Sequence, residues 1–423
     1  MATSHRNDLV PLCETLAAQP ASLGARVALA LRLDALGVPA ATAVWVATAR
    51  IAGGRGHFHA ALALIRRHLQ GARQTELLTW LAQRYGAERT TGGTRRPPPI
   101  PTARPFVDPG DDDARIDAAV RLGVDTSGVL PGDEAILPEM PLFSALPTPE
   151  FVALARALVE ARFAPGERLV RQGDEDRRVF VLAQGKVQVE RVETSGEKVV
   201  LAQVGAPALV GEMAVLTSVS RRASVVALEP VLAWRLDPET VEQLGHEHPG
   251  VVAHLTRLVK QRLLANLGRT SRIFRGLPGG VLPSAVAERF VLRAVPAGAL
   301  IVEQGTPPPG LFVVLHGEAD VWVTDAATDG RARVAVLHEG DVFGELSLLT
   351  GAATTASVVA PRGAVLLHLG PADFAAVRDD LPAVVTELVE LSEARRGELE
   401  EMVGTLADEG SEEVVDDAWL VPA

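Results

Sequence analysis

Phe163-Ala-Pro-Gly-Glu-Arg-Leu-Val-Arg-Gln-Gly173 lies on Val295-Pro-Ala-Gly-Ala-Leu-Ile-Val-Glu-Gln-Gly305 at an offset of 132. The match runs outward without a gap, setting Phe180-Val181-Leu182-Ala183-Gln184-Gly185 on Phe312-Val313-Val314-Leu315-His316-Gly317. After one inserted residue the offset becomes 133, and Gly211-Glu212-Met213-Ala214-Val215-Leu216 falls on Gly344-Glu345-Leu346-Ser347-Leu348-Leu349. It then carries Ala223-Ser224-Val225-Val226-Ala227 onto Ala356-Ser357-Val358-Val359-Ala360, Pro238 onto Pro371 and Pro249 onto Pro382. Such self-similarity means two folded units of one kind.

Within each unit, Val-rich runs alternate with polar residues and are broken by Gly, Pro and Asp turns, as in Lys186-Val187-Gln188-Val189-Glu190-Arg191-Val192. That period of two predicts an antiparallel β-roll. The end of each unit changes to helical spacing, with Val241, Leu244, Val252, Leu255 and Leu258 answered by Phe374, Val377, Val385, Leu388 and Leu391. The expected unit is a jelly-roll with C-terminal lid helices.

Upstream, residues 22–85 show Ala/Leu-rich helical spacing, as in Ala60-Ala61-Leu62-Ala63-Leu64-Ile65-Arg66-Arg67-His68-Leu69. Breaks at Gly37-Val38-Pro39 and Gly53-Gly54-Arg55-Gly56 predict helical hairpins, which resemble tetratricopeptide-type repeats. From Thr90 the composition turns to Pro, Gly and Asp and reads as a linker without a packed core. The fold class is therefore α+β multidomain: a helical-hairpin region at 1–89, a linker at 90–140, β-roll units at 141–268 and 269–403, and an acidic tail at 404–423.

Gly211-Glu212-Met213-Ala214, a turn, and then Arg221-Arg222-Ala223-Ser224 resemble the phosphate-binding cassette of cyclic-nucleotide-binding domains. Gly173-Asp174 and Gly185 extend the resemblance, which implies a ligand of the cyclic AMP or cyclic GMP type in the first unit. A cyclic monophosphate carries one negative charge. Unpaired backbone N–H groups at a glycine-opened turn and a planar arginine fork are suited to receive it. The resemblance gives Glu212 the ribose 2′-hydroxyl. The ungapped spacing places the phosphate ligand at Arg221, one further turn residue places it at Arg222, and strand alternation points only one of them inward. Ser224 is expected within a buried strand.

The second unit keeps Gly344, Glu345, Leu346 and Ser347, but Thr354 and Thr355 stand where the arginines would be. A threonine hydroxyl can bond a phosphate oxygen but cannot neutralise it. This degenerate site is expected to bind a cyclic nucleotide at least about 10- to 100-fold more weakly and to serve a structural or dimerising role.

The rest of the chain narrows the function class. No Gly-x-Ser-x-Gly elbow, lysine-bearing phosphate loop or His-x-x-x-His spacing occurs, so no catalytic residue, metal site or cofactor is expected. Few residues follow the second unit and they are acidic, so no C-terminal DNA-binding helix-turn-helix is expected. The net charge is −12, yet residues 1–96 carry 12 arginines against 5 acidic residues, marking the helical front end as a surface for a partner. One cysteine, Cys13, and the absence of an export or membrane signal predict a cytoplasmic protein. The expected function is a cyclic-nucleotide-sensing regulator; the rival is a ligand-free scaffold.

Overall fold

The computed structural model describes residues 8–89, 101–130, 137–192, 196–211, 221, 223–274, 277, 282–324, 330–378 and 382–409. The amino-terminal part forms helices α1 (Leu9–Ala18), α2 (Leu23–Ala35), α3 (Ala41–Gly54), α4 (Phe58–His68) and α5 (Gly71–Tyr85). Each packs on the next. Ser22 caps α2, its Oγ accepting from the Ala25 amide at 3.2 Å. The breaks fall at 36–40 and 55–57. Gly53 itself belongs to α3, and a Cβ there would lie 2.8 Å from Leu81 and Trp80 of α5. Its carbonyl also accepts the Tyr85 hydroxyl.

The expected linker requires correction. Residues 112–124 form helix α6 (Asp112–Val124), capped by the Asp111 carboxylate, and it packs on α1, α2 and α3. Ala119 is fully buried, and a Cβ at Gly123 would meet Val44 at 2.7 Å. Arg26, 1% exposed, clamps the segment by donating to the carbonyls of Gly123 (2.7 Å), Asp125 (2.7 Å) and Pro20 (3.0 Å). The flanking Pro, Gly and Asp residues obscured an N-cap followed by the apolar spacing Ile116, Ala119, Val120 and Gly123.

Helix α7 (Thr148–Ala157) precedes the first roll. That roll contains β1 (Val159–Phe163), β2 (Arg168–Val170), β3 (Val179–Gln184), β4 (Lys186–Val192), β5 (Lys198–Gly205), β6 (Ala208–Val210), β7 (Ser224–Ala227) and β8 (Val231–Leu236). Its two antiparallel sheets have the orders β1-β8-β3-β6 and β2-β7-β4-β5. Helices α8 (Pro238–Glu247) and α9 (Pro249–Thr270) follow, each with a proline in its first turn.

After α10 (Ser284–Arg289), the second roll contains β9 (Val291–Val295), β10 (Ala299–Val302), β11 (Leu311–Gly317), β12 (Ala319–Thr324), β13 (Arg331–Leu337), β14 (Val342–Phe343), β15 (Ser357–Ala360) and β16 (Ala364–Leu369). The short helix α11 (Glu345–Thr350) lies between β14 and β15. The sheet orders, β14-β11-β16-β9 and β10-β15-β12-β13, repeat those of the first roll strand for strand. Gly185 and Gly317 hold equivalent positions with φ of +93° and +95°. A Cβ would lie 2.6 Å from the Pro230 carbonyl or 2.7 Å from that of Gly363, so both conformation and space demand glycine.

Helices α12 (Pro371–Arg378) and α13 (Pro382–Glu409) close the described chain. Helix α13 runs past 404, where an acidic tail was expected to begin; residues 410–423 lie outside the described residues. Among the described residues, no helix is long and apolar enough to cross a membrane.

The units are joined through their cores. One cluster unites Phe58, Phe143 and Phe151 of the amino-terminal part with Val181 and Trp234 of the first roll and Val251 and Leu255 of α9. Farther along α9, Leu264 and Leu267 enter the core of the second roll. A boundary at 268 thus cuts through shared packing, because this single helix serves both cores.

His59 of α4 marks the first of these joints. Its Nδ1 accepts from Trp234 Nε1–H at 3.1 Å, and burial pushes its pKa down to about 4. The unfolded chain protonates this ring near pH 6.5, whereas the folded chain resists until about pH 4. The contribution is full above about pH 6.5 and is lost as pH falls towards 4. Urea midpoints of the native protein are expected to fall through this window more steeply than those of His59→Gln, which can accept from Trp234 without titrating.

Candidate ligand sites of the two rolls

The same backbone clamp builds both sites. In the first roll, the Gly173 amide donates to the Arg221 carbonyl at 2.7 Å and the Arg221 amide to that of Asp174 at 2.8 Å. The Gln172 amide donates to Ser224 Oγ at 3.0 Å, and its side chain exchanges two bonds with the Val192 backbone. In the second, Gly305 donates to the Thr354 carbonyl at 2.8 Å and Thr354 to that of Thr306 at 2.9 Å. Gln304 repeats the bonds to Ser357 Oγ and the Thr324 backbone. Hydrogen bonding therefore makes Thr354 the counterpart of Arg221, and it makes buried Ser224 a structural acceptor.

Arg221 is 7% exposed. Its Nη1 donates to the Gly211 carbonyl at 2.9 Å and its Nη2 to that of Arg178 at 2.5 Å, with Asp176 Oδ2 3.9 Å away. Asp176 is itself held by the Arg178 backbone and Nε at 2.8 and 2.9 Å. Gly211 has φ +79°, and a Cβ would stand 3.0 Å from the Arg178 carbonyl and 3.1 Å from Arg221 Nη1. Glycine thus admits the guanidinium to the interior. Ala223 is half-buried just before β7. Glu212, Met213, Ala214 and Arg222 lie outside the described residues. Arg178 and Asp176 belong to no recognised motif, and only the fold brings them to Arg221.

In the second roll, Gly344 has φ +84° and precedes α11. Glu345 is 2% exposed, and its Oε1 accepts from Arg395 Nη1 at 2.8 Å. Arg395 also donates to the Val342 carbonyl, tying α13 to the roll. Ser347 is buried, with its Oγ 3.4 Å from the Gly344 carbonyl. The Thr354 hydroxyl is engaged with the Glu303 and Thr306 carbonyls and the Thr306 amide. Gly344, Glu345, Leu346, Ser347, Thr354, Thr355 and Arg395 line a cavity of about 300 Å³. The strand positions hold no cation, but Arg395 brings one to the cavity from outside the roll, paired with Glu345. Arg395 comes from a helix 50 residues beyond Glu345, and its sequence signal is no more than a basic pair in an acidic helix.

Two β-rolls, each with a positive-φ glycine at the same turn and a buried side chain clamped behind it, define a tandem of ligand-site modules. Residues 160–248 and 292–380 match the cyclic nucleotide-binding domain family, and the chain carries two domains of that family in tandem. It is 29% identical over 236 residues to the cGMP-dependent protein kinase egl-4 of Caenorhabditis elegans, covering 56% of this chain and 28% of the kinase. It is 28% identical over 244 residues to a cAMP-dependent protein kinase regulatory subunit of Colletotrichum orbiculare, covering 55% of this chain and 59% of the subunit. The regulatory domain of Toxoplasma gondii PKA with cAMP is 22% identical, with 60% of this chain and 92% of that one covered and a TM-score of 0.30.

Proposed function

We propose that the chain is a cytoplasmic regulator whose first roll binds a cyclic nucleotide, of the cyclic AMP or cyclic GMP type, and whose helical region passes the bound state to a protein partner. The observation that carries this reading is Arg221, a guanidinium held inside the roll over Gly211. An incoming phosphate can compete for the donors that now reach the Gly211 and Arg178 carbonyls, replacing a neutral acceptor with a charged one. In this reading Gly211, Glu212, Met213, Ala214, Ala223 and Ser224 complete the site, with Glu212 accepting the ribose hydroxyl. The names of the kinase and regulatory-subunit relatives support the ligand class.

The shared cores supply a route outward. Any movement of α8 and α9 over the ligand repacks Leu244, Val251 and Leu255 against the cluster containing Phe143 and Phe151. The same α9 reaches the second core through Leu264 and Leu267. Ligand would shift the population between two packings according to its difference in affinity for them.

Calorimetric titration of cyclic AMP and cyclic GMP into the intact protein tests the proposal. One site per chain, weakened about 10- to 150-fold in an Arg221→Ala variant, is expected; no heat and no thermal stabilisation with either nucleotide would leave the scaffold reading instead.

A further inference from the structure

The cavity of the second roll has its own chemistry. It has about 300 Å³ of space, at the small end of the range for ligand pockets. Its lining combines apolar residues, Val321, Phe343 and Val358 among them, with the charged pair Glu345 and Arg395. The position that holds a guanidinium in the first roll is Thr354, whose hydroxyl is already engaged with backbone groups. Arg395 is committed to Glu345 and to the Val342 carbonyl. Asp341 also lines the cavity, its carboxylate accepting from the His338 amide, so its formal charges sum to a negative value. Such a cavity repels an anion.

It nevertheless offers an acceptor. Oε1 of Glu345 receives Arg395, and among the described residues no hydrogen bond reaches Oε2. A buried carboxylate oriented by a cation on one oxygen is suited to accept a hydroxyl on the other. The complementary ligand is uncharged, with hydroxyls at one end and a flat apolar body at the other.

We propose that the second roll binds an uncharged nucleoside, its sugar hydroxyls on Glu345 and its ring against the apolar residues, and discriminates against the corresponding cyclic monophosphate. The reading rests on the second cavity alone and does not depend on what the first roll binds.

The test uses the intact chain carrying Arg221→Ala, which weakens the first site, and assigns binding to the second roll by its response to Glu345→Gln and Thr354→Arg. Adenosine and guanosine, then cyclic AMP and cyclic GMP, are titrated by calorimetry. At least one nucleoside is expected to bind at one site per chain, with its cyclic monophosphate at least ~30-fold weaker because the added charge faces Glu345 without a free cation. Adding Glu345→Gln should weaken the nucleoside about 10-fold or more, as expected for a bond to a charged acceptor. Adding Thr354→Arg should reverse the preference towards the cyclic form, and this decides the matter should the Glu345 variant not fold. The proposal is overturned by absence of nucleoside binding, by a cyclic nucleotide binding as tightly as its nucleoside, or by nucleoside binding indifferent to Glu345→Gln. A failure of cyclic nucleotides to bind the native first site would leave it standing.

Discussion

Replacing Arg221 with alanine is expected to weaken cyclic-nucleotide binding about 10- to 150-fold, the equivalent of about 1.5 to 3 kcal/mol for a charge-assisted contact. The loss should fall on the phosphate. The same variant also leaves the Gly211 and Arg178 carbonyls without their buried donor, so some loss of stability is expected even without ligand. Calorimetry with ligand and thermal melting without it separate the two effects. Arg221→Lys should recover only part of the affinity, because an ammonium restores the charge but not the planar fork that spans two carbonyls. Affinity unchanged in Arg221→Ala would shift the role to its neighbour Arg222.

Arg26→Ala should be the most damaging of the single changes in the helical region, costing about 3 to 5 kcal/mol. Three carbonyls, those of Pro20, Gly123 and Asp125, lose their donor at once, and a buried volume opens between α2 and α6. Because Gly123 packs directly on Val44, loosening this clamp should release α6 as a unit. Urea unfolding should show a lower midpoint, and hydrogen exchange should accelerate across 112–124 before it does so in the rolls. If exchange in α6 is unchanged, Arg26 does not hold that helix in place.

The number, kind and internal order of the rolls are legible in the chain before it folds. An internal repeat is read directly, and alternation of period two records which face of each strand is buried. The turns are equally local: Gly185 and Gly317 stand where positive φ and a neighbouring carbonyl leave room for no other residue. The exchange of Arg221 for Thr354 was visible for the same reason, since aligned copies of one fold place aligned residues at the same point.

What joins these pieces emerges only once the chain is packed. Composition made 90–140 a linker, whereas Arg26, 97 residues before Gly123, supplies the bonds that dock α6. Local pattern ended the first unit at 268, whereas α9 is shared by two cores. The pairing of His59 with Trp234 spans 175 residues, and Arg395 reaches Glu345 from the far helix. Periodicity reports the environment of a residue's own element, while these contacts depend on where the chain returns. That is set by the sum of all the packing, and a single side chain carries little trace of it.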